Sequence, residues 1–219
     1  MNVFVGIDRD GTIIKDTGNR QYLGRSEGWE NEIEFLPGVT TGIKALRKIQ
    51  GIKIYMISNQ TGIGIADFSD LTEERAHDVC KEILKRLDKE GAALDDYLFC
   101  PHISKHYITK HPERKFDPAY VRECDCAKPN PGMLFAAMKK DGMAKGKAHI
   151  YMIGDRDSDV ETGLNAGGIG ILVPSESQPG HDKKVLAMKN PSAFVAKNFE
   201  DAANLILNRE SLSAGRVPE

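Results

Sequence analysis

What most constrains the fold of this chain is an alternation. Short, largely apolar runs recur along it, and stretches with helical spacing separate them. The apolar runs are residues 2–8, Ile52–Ser58, Tyr97–Cys100, His149–Ile153 and Ile169–Val173. Val39–Ile49, residues 72–90, Pro131–Lys140 and residues 157–166 carry helical periodicity between them, and an edge strand at 193–197 and a helix at 199–208 close the series. Nearly continuous apolar runs suit strands of a parallel sheet buried on both faces by helices. The expected class is therefore α/β, a Rossmann-like parallel sheet with helices on both faces. The 219 residues fit one domain with insertions better than two complete domains. That domain is placed at 1–208, and 209–219 is expected to be a disordered polar tail.

Two segments, 13–36 and 101–127, break the alternation. Loops this long in a compact domain are usually functional or disordered. The first is polar and carries Arg20, Arg25 and Trp29. Trp29 could stack on a ligand ring or simply anchor its loop. Between Ile103 and Glu123 the second holds Lys105, His106, Lys110, His111, Arg114, Lys115 and Arg122. These form either a solvated charged face or a wall that grips substrate. His106 and His111 are read as ordinary polar residues.

Composition narrows the choice of partner. Thirty Lys and Arg against 32 Asp and Glu leave a formal charge of −2. No general field would collect nucleic acid or an anionic membrane, so an anionic ligand needs a local site. No apolar run approaches the ~18–20 residues of a membrane span. No signal peptide is evident, so a cytoplasmic location is expected, with a monomer as the default. Phosphate-loop and dinucleotide motifs also fail. Gly62-Ile63-Gly64 lacks its third glycine, and no GxxxxGK[ST] occurs.

Chemistry concentrates where strands end. Asp8-Arg9-Asp10-Gly11-Thr12 follows the first strand. On an extended chain, residues two apart project to one side, and two carboxylates there repel unless a cation or proton intervenes. Gly154-Asp155-Arg156-Asp157-Ser158-Asp159 follows the fourth strand and brings Asp155 and Asp159 to one helix face. Asp157 reads as the helix cap, and Asp155 as a metal ligand. An all-oxygen ligand set of this kind favours Mg²⁺. Ser58-Asn59-Gln60 adds a hydroxyl and amides, and Lys128 adds a fixed cation. Taken in this order, the four segments point to phosphoryl transfer, which needs neutralised charge and in-line positioning.

These motifs resemble those of the haloacid dehalogenase (HAD) superfamily of phosphatases: DxDGT at Asp8–Thr12, then Ser58, Lys128 and GDxxxD at Gly154–Asp159. The resemblance implies a HAD-like fold without a large cap domain. It also implies that Asp8 is the nucleophile that becomes an aspartyl phosphate, and that Asp10 is the general acid and base. It gives Mg²⁺ to Asp8, the backbone carbonyl of Asp10, and Asp155, with Asp159 supporting the metal. Ser58 and Lys128 would hold the phosphoryl group, and Gly11, Thr12, Asn59 and Gln60 would bind substrate. DRDGT, SNQ, CPH and CDCxKPxPGM are similar to the branch of heptose bisphosphate and histidinol-phosphate phosphatases. This chain departs from the branch at Ala127, where an arginine is common, and at Gly64-Ile65-Ala66, which holds no arginine.

Cys100, His102, Cys124 and Cys126 supply three thiolates and one imidazole, enough for a closed tetrahedral site. With the resemblance, a structural Zn²⁺ is favoured over free thiols or disulfides. Cys126 lies two residues before Lys128, so zinc would fix the lysine. Cys80, on an apolar helix face, reads as plain core.

The expected activity is Mg²⁺-dependent phosphatase action on a small phosphorylated metabolite, first a sugar phosphate such as D-glycero-D-manno-heptose 1,7-bisphosphate. Histidinol phosphate is the runner-up and a polynucleotide 3′-phosphate comes third. The non-enzyme alternative is a zinc-stabilised binding module that keeps the fold without turnover.

Overall fold

The computed structural model describes residues 2–16 and 22–213. Six parallel strands form one sheet: β1 (Asn2–Ile7), β2 (Ile52–Asn59), β3 (Asp96–Cys100), β4 (Ala148–Gly154), β5 (Ile169–Leu172) and β6 (Ala193–Val195). Their spatial order is β3-β2-β1-β4-β5-β6. The helices are α1 (Val39–Leu46), α2 (Glu73–Lys89), α3 (Lys105–Lys110), α4 (Gly132–Lys140), α5 (Asp157–Asn165), α6 (His181–Ala187) and α7 (Phe199–Ser213).

The central strand β1 explains why its sequence reads apolar throughout. Val3, Val5 and Ile7 enter one core together with Val39, Ile43 and Leu46 of α1, Val79, Ile83 and Leu87 of α2, and Phe199 and Ile206 of α7. Phe4 enters a second core on the opposite face with Leu134, Ala137 and Met138 of α4. Each fully buried side chain of Val, Leu or Phe size contributes about 1.5–3 kcal/mol against solvent exposure. Both faces are covered, so every position from Val3 to Ile7 is buried and apolar or glycine, and only Asn2 at the exposed start is polar.

The order of the strands sets the position of the site. The chain winds outward through β2 and β3, then returns to lay β4 on the free side of β1. That return makes a topological switch at the carboxyl ends of β1 and β4, where ligands of open α/β sheets bind. Ile7 lies in register with Ile153, and the Asp8 N–H donates to the Ile153 carbonyl at 2.9 Å. The loops after these two strands therefore open into one crevice.

Several expectations change. The expected tail starts too early: α7 continues through Ser213, because Glu210 near its end accepts from Tyr151 Oη at 2.5 Å and pairs with His149 Nδ1 at 2.9 Å. Residues 214–219 lie outside the described residues. Helices α3 and α6 were not read from the sequence; both are short, and Val185 is the buried residue of α6. The 13–36 segment is less detached than its polarity implies, because Ile13, Ile14, Leu23 and Trp29 are buried in the main core. Trp29 thus anchors its loop. Arg20 lies outside the described residues. The helix at 72–90 forms as expected, with Thr72 Oγ1 accepting from the Arg75 N–H at 3.1 Å.

Candidate active site

The sequence Asp8–Gly11 leaves β1 as a turn rather than as an extended chain. The Ile13 N–H closes back on the Arg9 carbonyl at 3.0 Å, and Gly11 sits at φ 82°. This changes the expectation that Asp8 and Asp10 project together. Asp8 points into the crevice, where a carboxylate oxygen of each of Asp8, Asp155 and Asp159 lies within 4.8 Å of the others. The Asp10 carboxylate turns aside. It accepts from Arg9 Nε at 3.0 Å and from Gln60 Nε2 at 3.1 Å.

Two glycines make the acidic cluster possible. A Cβ on Gly11 would overlap the Asp155 carboxylate, and one on Gly154 would overlap that of Asp159. The glycines in both motifs are thus required by close approach, and Gly11 also by its left-handed φ. Gly11 therefore lets the Asp155 carboxylate approach the turn closely.

Asp155 is fully buried, and among the described residues neither of its carboxylate oxygens has a hydrogen-bond partner. An unpaired buried carboxylate is costly, and a cation relieves it. Three acids with oxygen donors fit a hard divalent ion such as Mg²⁺. Burial pushes Asp8 up to about 7, reinforced by Asp159 and opposed by Lys128. Burial pushes Asp155 up to about 8, reinforced by Asp8 and Asp159.

Lys128 closes the cluster. Its ammonium contacts Asp8, pairs with Asp159 at 2.5 Å and donates to the Ile57 carbonyl at 3.1 Å. Burial works against its charge, yet Asp159 and Asp8 hold its pKa above the usual lysine range. Asp159 also accepts the Arg156 N–H at 3.0 Å. It therefore caps α5, the role expected of Asp157. Asp157 instead pairs with His181 at 2.7 Å and Lys184 at 3.1 Å.

Two of the residues expected to bind substrate, Asn59 and Gln60, have their amides engaged within the protein. Asn59 clamps the Lys128 backbone: its Oδ1 accepts the Lys128 N–H at 2.9 Å and its Nδ2 donates to the Lys128 carbonyl at 3.1 Å. Gln60 is buried and donates to Ser58 Oγ at 2.7 Å as well as to Asp10. Because Ser58 Oγ accepts that proton, its own hydroxyl hydrogen is left to point elsewhere, and Ser58 lines the cavity. Thr12 is buried, and its hydroxyl has no partner among the described residues.

The cavity holds about 660 Å³, far more than a phosphate. Its floor is Asp8, Ser58, Lys128 and Asp159; its outer wall comes from both long segments, including Tyr22, Tyr107, His111 and Arg114. Arg114 Nη1 donates to Tyr107 Oη at 3.2 Å and Tyr22 Oη at 3.5 Å. The two alternatives for the basic loop therefore divide by residue. His111 and Arg114 face the cavity, whereas Lys105, His106, Lys110, Lys115 and Arg122 are exposed. The sequence reading offered this loop as a substrate-gripping wall but missed Tyr22 and Tyr107 as parts of it.

Cys100, His102, Cys124 and Cys126 form a second cluster with ligand atoms within 4.8 Å of one another. Their sulfur separations run from 3.0 Å for Cys126–Cys100 to 3.6 Å for Cys100–Cys124, well beyond a disulfide bond. His102 presents Nδ1, at 3.1 Å from Cys126 Sγ. Burial pushes the Cys100 and Cys126 thiols up and the His102 imidazole down. Three sulfurs and an imidazole gathered this closely are a donor set that fits Zn²⁺. Cys80 is buried in the main core, beside Arg9.

Comparison with known proteins gives a consistent result. A family model described as HAD-hydrolase-like matches residues 125–202. A D-glycero-beta-D-manno-heptose-1,7-bisphosphate 7-phosphatase of Rhodopseudomonas palustris is 32% identical over 180 residues, 82% of this chain and 88% of the relative. The Escherichia coli K12 protein of the same name is 31% identical over 168 residues, 76% of each chain. Among solved structures, a D,D-heptose 1,7-bisphosphate phosphatase from B. bronchiseptica, complexed with magnesium and phosphate, matches with a TM-score of 0.68. It is 21% identical and covers 94% of this chain and 99% of its own. No helix among the described residues is long and apolar enough to cross a membrane. The sheet order, the acids at the switch point and these relatives together place the chain in the HAD-like hydrolases, in the family of the heptose-1,7-bisphosphate 7-phosphatases.

Proposed function

We propose that the chain is a Mg²⁺-dependent phosphomonoesterase acting on a small sugar phosphate, with D-glycero-beta-D-manno-heptose 1,7-bisphosphate as the first candidate. The observation that carries this is the buried Asp8–Asp155–Asp159 cluster, with an orphaned Asp155 carboxylate and the Lys128 ammonium against the nucleophile.

In the first step an Asp8 oxygen attacks phosphorus. The ester P–O bond breaks, and Asp10 gives its proton to the departing oxygen. In the second step Asp10 takes a proton from water, which displaces Asp8 and releases phosphate. Lys128 and the Ser58 hydroxyl hold the phosphoryl oxygens in line. A Mg²⁺ ion held by Asp8, Asp155 and the Asp10 carbonyl, with Asp159 in support, would neutralise phosphoryl charge. A Zn²⁺ ion held by Cys100, His102, Cys124 and Cys126 would be structural, because four protein ligands close its shell. The outer wall of Tyr22, Tyr107, His111 and Arg114 meets the non-reacting end of the substrate.

Phosphate release is measured with heptose 1,7-bisphosphate, histidinol phosphate and a 3′-phosphorylated oligonucleotide, using the wild type and Asp8→Asn. The expected result is strongest turnover of the sugar bisphosphate, abolished in Asp8→Asn. Preference for the oligonucleotide overturns the sugar assignment, and unchanged turnover in Asp8→Asn overturns the mechanism.

A further inference from the structure

Arg9 stands between two catalytic acids, yet it is 1% exposed. A guanidinium out of water costs several kcal/mol unless its donors are met. Here Asp10 and Gln60 meet Nε and Nη2, while Nη1 is buried without a hydrogen-bond partner among the described residues. Arg9 Nε donates to Asp10 Oδ1 at 3.0 Å, and its Nη2 lies 2.8 Å from Asp10 Oδ2. Nη2 also donates to Gln60 Oε1 at 2.8 Å. That bond fixes the Gln60 amide, so its Nε2 must face Asp10 and Ser58. The result is a closed ring, Arg9–Gln60–Asp10, built from the β1 loop and the end of β2.

We infer that Arg9 and Gln60 are positioning residues that hold the Asp10 carboxylate where it meets the ester oxygen. The inference rests on Asp10 being the general acid of the proposed function. Asp10 is the exposed member of the ring, its side chain 30% accessible at the cavity while Arg9 is sealed beneath it. Without these donors the short Asp10 side chain would be free to rotate, because no other residue hydrogen-bonds its carboxylate among the described residues. A guanidinium suits the task because its planar fork fixes both oxygens at once, which an ammonium cannot do. The same ring explains why the second residue of DRDGT and the third of SNQ are an arginine and a glutamine although neither meets substrate.

The test compares leaving groups. Protonation of the departing oxygen matters for an alkyl ester such as a sugar phosphate and hardly at all for 4-nitrophenyl phosphate. Values of kcat/KM for both substrates are measured in the wild type, Arg9→Lys, Arg9→Met, Gln60→Leu and Asp10→Asn. General acid catalysis is worth about 10²–10⁴-fold, so a displaced acid is expected to lose roughly 10- to 100-fold on the sugar phosphate and less than about threefold on the nitrophenyl ester. A partly unfolded variant loses the same factor on both substrates, so the ratio isolates positioning. If Arg9→Met does not fold, Gln60→Leu and Arg9→Lys carry the test. Equal losses on the two esters overturn the inference. An Asp10→Asn variant without the split overturns instead the assignment of Asp10 as the acid, and a wild type inactive on every ester overturns the proposed function.

Discussion

Replacing Asn59 by alanine removes the two hydrogen bonds that grip the Lys128 backbone, at 2.9 and 3.1 Å. At about 0.5–1.5 kcal/mol net per bond, stability should fall by about 1–3 kcal/mol. For a chain of this size that is a drop of roughly 2–12 °C in Tm. The catalytic effect works through Lys128, whose ammonium contacts Asp8, the proposed nucleophile. Misplacing a catalytic group by about 1 Å can cost about 100-fold. Cys126, two residues before Lys128, still ties the segment to the metal-ligand cluster, so kcat/KM should fall by roughly 10- to 100-fold rather than vanish. Thermal melting and steady-state phosphate release provide both numbers. In a Lys128→Met background the Asn59 change should cost nothing further in kcat/KM, because its target is already gone. An Asn59→Ala protein that melts lower but keeps kcat/KM within about threefold of wild type would refute the clamp as a catalytic device.

Three further outcomes follow from the same geometry. Gly11→Ala combines a left-handed φ with overlap on Asp155; it should weaken Mg²⁺ binding in a calorimetric titration, and unchanged affinity would contradict the close-approach argument. Removing zinc with a chelator should lower turnover by loosening Lys128, and an apo-protein with full activity refutes that link. The third concerns pH. Asp8 and Asp155 are raised in the folded state, to about 7 and about 8. Carboxyls raised in this way bind more protons folded than unfolded, so the metal-free protein should lose stability as pH rises from about 4 to about 8. Mg²⁺ competes for the same oxygens. The Tm gap between Mg²⁺-loaded and metal-free protein should therefore widen from about pH 5 to about pH 8. A gap that narrows over that range would contradict it.

The strands and their parallel arrangement were legible because the central ones, β1, β2 and β4, are buried along most of their length. The four strand-end motifs were legible because their spacing survives in sequence. What a local pattern could not provide is which way each side chain turns. Asn59 and Gln60 look like ligands to substrate, but partners distant in sequence, Lys128 and Arg9, claim their amides. Asp10 reads as a twin of Asp8 on an extended chain, and the turn at Gly11 separates them. Trp29 and the cavity wall at Tyr107 and Arg114 lie in segments without periodicity, where only tertiary contacts decide between core and surface. Asp159 adds to its place in the acidic cluster the capping role expected of Asp157, because the helix begins at Asp157, which puts Asp159 at the third position, within reach of the Arg156 N–H.

The whole scheme depends on Asp8 forming a covalent bond to phosphorus inside the acidic cluster. Borohydride added during turnover reduces an acyl phosphate to the alcohol, and peptide mass spectrometry locates the change. The peptide carrying residue 8 should be the modified one, having lost one oxygen and gained two hydrogens, and only when Mg²⁺ and substrate are both present. Reduction at another residue, or none at position 8 under conditions where phosphate is being released, would contradict it.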